Sequence, residues 1–450
     1  MNLSLKEKNN WYLSKFELFE KGLNGESQSP VHAIRRDAIS RFTALGFPTN
    51  RNEDWRFTNV APIAGTNFKP LALSQVHAPV SRKDIERFLF KGLNCYLLAF
   101  IDGQFSKELS DIKPFPAGVK IGSLAGALTS EKELVTEHLT RYARYTEDAF
   151  TALSTAFLCD GAFVNVPDDK TVELPIHILF VATGTSGDQL ISPRNLIIAG
   201  KNSRASIIES YLHLNAAPYF TNAVTEIALG ANSKIEHDKL QMEYEGSYHI
   251  ASTFVQQGAS SDYVSNSISL GGAIVRNNIT SVLGAEHCKC TLNGLSLATG
   301  KQHVDNHTTI DHSKPNCASH ELYKSILDGK ARGVFNGKIF VRKDAQKTDA
   351  KQTNKTLLLS DDATIDTKPQ LEIFADDVKC THGATVGQLD EEQIFYLRAR
   401  GIGLERARDM LTFAFAGDVV HRIQVAELRE TLDLLIQANL RRGRQLEDAE

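Results

Sequence analysis

A chain of 450 residues with 42% hydrophobic and 23% charged side chains is long enough for two or three domains and can bury a sizeable core. The 50 basic residues against 54 acidic ones leave a formal net charge of −4 and a pI near 6.4; without a block of like charge, this gives no support to a role on nucleic acid or at a membrane surface. No apolar run reaches signal-peptide or membrane-spanning length, and six scattered cysteines, Cys95, Cys159, Cys288, Cys290, Cys317 and Cys380, are too few for a disulfide framework, so the chain reads as a cytoplasmic protein with reduced thiols.

Residues 1–150 are of mixed pattern. Apolar positions at Val31, Ile34, Ala38, Ile39 and Phe42 predict a helix that stops near Gly46 and Pro48. The run from Tyr96 to Ile101, followed by Asp102-Gly103 and Phe105, predicts a strand and a tight turn. An α-rich N-terminal domain with a small sheet follows.

Residues 151–388 change character. From about residue 172 to 386 the chain is rich in Gly, Asn, Ser and Thr, and its short apolar runs suit strands better than helices. Punctuating residues at Gly200, Gly230, Gly258, Gly271, Gly284, Gly300, Gly329 and Ser360 recur near a step of roughly fifteen residues or its double, as a solenoid of stacked parallel strands needs. The expectation is a mainly β fold built on a parallel β-helix, right-handed by the crossover rule. The alternative, a β-sandwich with irregular hairpins, predicts antiparallel pairs instead.

Residues 389–450 turn helical. Asp390, Glu391 and Glu392 place negative charge in a first turn, Ile394, Phe395 and Leu397 supply apolar positions, and Arg398 and Arg400 precede Gly401 as a stop. A second helix is predicted from Leu404 to Phe415. Leu428, Leu432, Leu435, Ile436 and Leu440 mark the stripe of a third.

The densest set of potential ligands is His303, His307, His312, Cys317 and His320, with His287, Cys288 and Cys290 just upstream. Zinc motifs keep tight ligand pairs in a fixed frame, and this group does not; its residues read better as turn and ladder side chains, with the cysteines packed as small hydrophobes. No phosphate-binding loop, dinucleotide fingerprint, nucleophile elbow or H-E-x-x-H helix occurs, so the chain is not expected to hydrolyse ATP by itself. A glycan-cleaving β-helix enzyme is the distant alternative, and it predicts a groove with paired carboxylates. One constellation remains at the join of core and tail, where Cys380 and His382 stand two apart before Gly383 and the acidic helix start. In an extended segment both project to one side, which suits shared ligation and a merely exposed face equally.

The stretch from Cys380-Thr381-His382-Gly383 through Phe395-Tyr396-Leu397-Arg398-Ala399-Arg400-Gly401-Ile402 resembles the signature joining core and tail in the SufB/SufD family of the Suf iron–sulfur cluster assembly complex. The resemblance extends to Asp305-Asn306-His307-Thr308, Asp311-His312, Gly333-Val334-Phe335-Asn336-Gly337-Lys338, Lys368-Pro369-Gln370-Leu371-Glu372 and, near the N-terminus, Asn52-Glu53-Asp54-Trp55-Arg56-Phe57-Thr58. Gly383 stands where the SufB side of the family carries a glutamate, and Asn354 aligns by eye with a SufB cysteine implicated in holding the nascent cluster; both departures favour the SufD side. The resemblance implies a right-handed parallel β-helix with helical end domains and a non-catalytic role. It implies SufB as partner along the core, with self-pairing conceivable for the isolated chain, and the ATPase SufC at the C-terminal helices, where Glu391, Phe395, Arg398 and Arg400 are the candidate contacts. It also implies a transient iron–sulfur cluster at the SufB interface with His382 as ligand and Cys380 as the weaker candidate, and it leaves a flavin on the assembled complex open.

Overall fold

In the computed structural model, which describes residues 5–23, 29–70, 79–185 and 187–447, the centre of the chain is a flattened parallel solenoid. One sheet stacks the strands Arg194–Ala199, Tyr219–Leu229, Tyr248–Gln257, Ile274–Leu283, His303–His312, Arg332–Val341 and Thr364–Ile373. The other stacks Ile176–Ala182, Arg204–His213, Lys234–Met242, Asp262–Ser269, Lys289–Ala298, Ala318–Leu327, Asp349–Leu358 and Lys379–Gly387. Successive strands alternate between the sheets, and each pairs in parallel with the strand two places on, as in Ile227↔Val255 and Thr309↔Lys338. The step of about fifteen residues in the sequence is therefore one strand with its corner, and its double is one coil. No antiparallel hairpin interrupts the stack, which removes the sandwich alternative.

Corner chemistry enforces the stacking. Gly230 N–H donates to Ala199 O at 2.7 Å, and a Cβ on Gly230 would stand 2.8 Å from the carbonyl carbon of Gly200 in the preceding coil. Only glycine allows that approach. Between the sheets, Ile178, Ile207, Ile235, Val255, Ile279, Leu292, Ile310 and Phe335 form the axial core.

The two ends of the solenoid differ. At the first coil, the hairpin Tyr96–Ile101/Gln104–Asp111 adds to the second sheet, its first strand parallel to Ile176–Ala182 and its second antiparallel. Its turn has Asp102 at φ 50° and Gly103 at φ 80°, the primed geometry suited to a two-residue hairpin. Lys120–Ser123 closes the other sheet by pairing antiparallel with Ala162–Val166. The small sheet expected in the N-terminal domain is thus continuous with the solenoid and caps it. The helices Leu5–Lys21, Pro30–Leu45 and Ala149–Ala156 pack over the outer face of the first sheet, against Leu190, Phe220 and Ile250. The predicted helix ends at Gly46, φ 68°, whose N–H caps on Phe42 O. At the last coil, Thr364–Ile373 and Lys379–Gly387 each have a sheet neighbour on one side only.

The tail folds back along the core. Leu404–Val420 and Ala426–Glu447 lay Val419, Val420, Ile423, Leu428, Leu432 and Ile436 over Ile208, Leu240, Ile268, Leu295, Ile326 and Leu357 on the outer face of the second sheet. Lys324 Nζ pins this contact, donating to Phe415 O at 2.9 Å and pairing with Asp418 Oδ2 at 2.5 Å. Among the described residues no helix is long and apolar enough to cross a membrane.

Candidate functional site: the open last coil

Parallel register places residues of successive coils in columns running the length of the second sheet. One column reads Ile176, Ile207, His237, Ser265, Leu292, Glu321, Gln352, His382. Its members face the interior: His237 Nε2 pairs with Glu209 Oε2 at 2.8 Å, and Gln352 Nε2 donates to Glu321 Oε2 at 2.6 Å, all four side chains buried. His382 is the terminal member. Because no further coil covers it, its imidazole is exposed and free to meet a ligand from outside.

The neighbouring column ends Tyr263, Cys290, Ser319, Ala350, Cys380. Cys380 points to the same side as His382, as their spacing predicts, but it packs with Ile339, Val341, Ala345 and Ala350. Burial pushes its thiol upward, with a smaller opposing contribution from the Ala350 backbone and a further push from Asp349. Metal ligation needs the thiolate, so the imidazole is the readier donor of the two. Around them the last coil exposes Ile373, Phe374 and Val386, together with one free strand edge on each sheet.

The helix Glu391–Arg398 follows directly. Asp390 caps it, accepting from Glu392 N at 2.8 Å, and Ile394 is its one buried residue. Glu391, Phe395 and Arg398, at i, i+4 and i+7, share one exposed face. Phe395 is 74% exposed and Tyr396 57%; of the three apolar positions read from the sequence, Ile394 is buried, Leu397 half-buried and Phe395 faces out. The Arg400 guanidinium lies 3.8 Å from the Tyr396 ring centre.

The histidine-rich group is dispersed by the fold. His303 Nε2 and Thr58 Oγ1 are 2.8 Å apart, His307 pairs with Asp305 at 3.0 Å, His312 contacts Ser319 Oγ at 2.9 Å, and His320 is exposed. Among the described residues no three potential metal ligands converge. What His303, Asp305 and His307 do instead was not legible in the spacing: they receive the N-terminal Asn52–Thr58 segment. Thr58 Oγ1 donates to Asp305 Oδ2 at 2.5 Å, and Arg276 bridges Asp305, at 2.9 Å, to Asp54 O, at 2.6 Å, with its guanidinium 3.7 Å from the Trp55 ring centre. Burial alone would raise the Asp305 carboxyl, but His307, Arg276 and Thr58 together hold it well below the usual carboxylate range. A cleft of about 670 Å³ opens beside this junction. Of its carboxylates, Asp311 is held bidentate by Arg342, Glu53 pairs with Lys368, and Asp148 caps a helix at Thr151 N, while Asp54 and Glu147 also line it.

Two family models cover nearly the whole chain: the SufBD core domain of the SUF system for FeS cluster assembly over residues 180–415, and the SufBD N-terminal region over residues 6–178. An iron–sulfur cluster assembly SufBD family protein of Synechocystis is 34% identical over 418 residues, 91% of each chain. The iron–sulfur cluster assembly protein SufD of Escherichia coli is 31% identical, covering 92% of this chain and 93% of its own, and the SufD of Bacillus subtilis is 26% identical over 95% and 99%. A parallel solenoid capped at one coil and open at the other, with this extent of likeness, means that the chain belongs to the SufB/SufD family of the SUF system for iron–sulfur cluster assembly.

Proposed function

We propose that this chain is a non-catalytic, cytoplasmic subunit of an iron–sulfur cluster assembly complex, which pairs through its open last coil with SufB and presents its C-terminal helices to the ATPase SufC. The asymmetry of the solenoid carries this reading. A stack of parallel strands needs caps at both ends, an exposed strand edge invites a second chain, and here the uncapped coil is the one that ends on His382. The outward face of Glu391, Phe395, Arg398 and, beside it, Arg400 supports an interface with a partner that supplies the nucleotide chemistry.

At the SufB interface His382 donates its imidazole to iron of the nascent cluster, which is cargo and not a resident cofactor. Imidazole replaces thiolate on iron in known centres and adds no charge when neutral, which favours a site that must release its product. Cys380 is the second donor only where the partner opens its packing. A flavin, if the assembly uses one, belongs to the whole complex.

Co-purification of the chain with SufB and SufC tests the assembly. His382→Ala should leave that complex intact and lower cluster assembly in cells dependent on it several-fold; undiminished assembly rejects the ligand role. Two copies of the isolated chain should pair through the same edges, and light scattering showing a strict monomer at high concentration rejects self-pairing.

A further inference from the structure

The corners leading into six successive second-sheet strands, from Arg204–His213 to Asp349–Leu358, share one chemistry. A residue with left-handed backbone is followed by a small buried side chain: Asn202-Ser203, Asn232-Ser233, Ser260-Ser261, His287-Cys288, Asn316-Cys317 and Lys347-Thr348, with φ of the first member between 55° and 63°. Three of the four hydroxyls serve the turn itself. Ser203, Ser233 and Thr348 donate to the carbonyl three residues back, on Gly200, Gly230 and Ala345, at 2.7, 2.8 and 2.8 Å. Cys288 does the same with Ala285 O at 3.1 Å. The corner therefore asks for a small donor, and in four of the six coils a hydroxyl fills it. Two successive coils carry thiols instead, a choice that the turn does not require.

Those two thiols are neighbours. Lys289 and Ala318 are in register and Ala318 N donates to Cys288 O at 2.9 Å, so the cysteines preceding them sit one strand spacing apart, roughly 4.8 Å, inside the separation a disulfide spans. Both sulfurs reach the same acceptor, Ala285 O, at 3.1 and 3.2 Å. They lie at the corner beneath exposed Glu286, His287, Lys289, Lys314 and Asn316, buried in the same axial cluster as Cys290. The hydrogen bond between the thiols lowers Cys288 and raises Cys317, whereas burial pushes Cys290 up to about 12.

We propose that Cys288 and Cys317 are a cross-coil dithiol that hydrogen peroxide closes into a disulfide, stapling consecutive coils of the solenoid. The Cys288 thiolate attacks one peroxide oxygen, the O–O bond breaks, and the leaving hydroxide takes a proton to become water. The sulfenic acid so formed is then attacked by the Cys317 sulfur; the S–O bond breaks, the S–S bond forms, and the second oxygen leaves as water with the Cys317 proton. Two thiols and one peroxide give one disulfide and two waters.

The test treats the full chain with hydrogen peroxide and maps its peptides without reduction. The expected product is a cross-linked pair of peptides carrying Cys288 and Cys317, two hydrogens lighter than the reduced pair and split by dithiothreitol. Closing the loop should raise the guanidinium unfolding midpoint of the oxidised chain. Cys288→Ser and Cys317→Ser should each keep the reduced midpoint, since serine fills this corner in other coils, and should each lose the oxidative rise. A cross-link through Cys290 or Cys95, sulfinic acid on either thiol without a cross-link, or no change at the pair overturns the proposal.

Discussion

Glu321 sits in the axial core with the Gln352 amide and the Thr308 hydroxyl as its partners, and burial pushes its carboxyl up to about 7. Its folded pKa is raised above the unfolded value, so the stability it contributes is present below the unfolded pKa of 4.5 and is lost as pH rises towards 7. At about 1.4 kcal/mol per pH unit this is on the order of 3 kcal/mol. Glu321→Gln, which keeps shape and a hydrogen-bonding head, should flatten the fall in denaturant midpoint between about pH 5 and 7 and leave the acidic side unchanged; an unaltered pH profile would mean that the carboxyl is ionised inside. Arg276 is the opposite case, a buried cation bound to a carboxylate held ionised by its neighbours. Arg276→Ala strands the Asp305 charge and releases the Trp55 segment, and a loss of about 3–5 kcal/mol is expected in equilibrium unfolding.

The three C-terminal helices divide their work between the core and the outside. Ala426–Glu447 buries Leu428, Leu432 and Ile436 against the second sheet. Leu432→Ala should cost about 2–5 kcal/mol of stability, with little change in ATPase binding per folded molecule. Phe395, on the outward face of Glu391–Arg398, should behave conversely: Phe395→Ala should leave the unfolding midpoint within about 0.5 kcal/mol and weaken SufC binding tenfold or more, as loss of an aromatic anchor does. Calorimetric titration of both variants separates the two roles. Because the last two helices cover an apolar sheet face, removing everything beyond Leu389 would expose that face and destabilise the solenoid. Such a truncation cannot isolate the docking site, and the point variants can.

At the scale of the molecule, one end of the stack is closed by antiparallel strands and the other presents two parallel edges. In Lys379–Gly387 the N–H of Lys379 points inward, to Thr348 O at 2.8 Å, so by alternation those of Cys380, His382, Ala384 and Val386 point out from the edge. Ala384→Pro removes one outward donor without breaking the ladder to Asp349–Leu358. It should preserve the circular dichroism spectrum and weaken pairing with SufB, or between two copies, at least several-fold by sedimentation; full pairing would place the interface elsewhere.

The repeat of corners and short apolar runs was enough to give the parallel solenoid and its step, because each corner glycine or left-handed residue must recur where the chain turns; that two steps make one coil came from the pairing of the strands. Helix ends at Gly46, Asp390 and Gly401 were readable for the same local reason. The last two tail helices were also visible as helices, but their docking on the second sheet was not, since an amphipathic stripe names no partner. The axial pairs of Glu209 with His237 and of Glu243 with His249, and the clasp of Thr58 and Arg276 on Asp305, join positions from 6 to 247 residues apart, and only the register of the coils brings them together. His382 could be singled out by its motif; that it terminates an interior column at an uncapped coil, while Cys380 beside it turns into the packing, is decided by where the stack of strands stops.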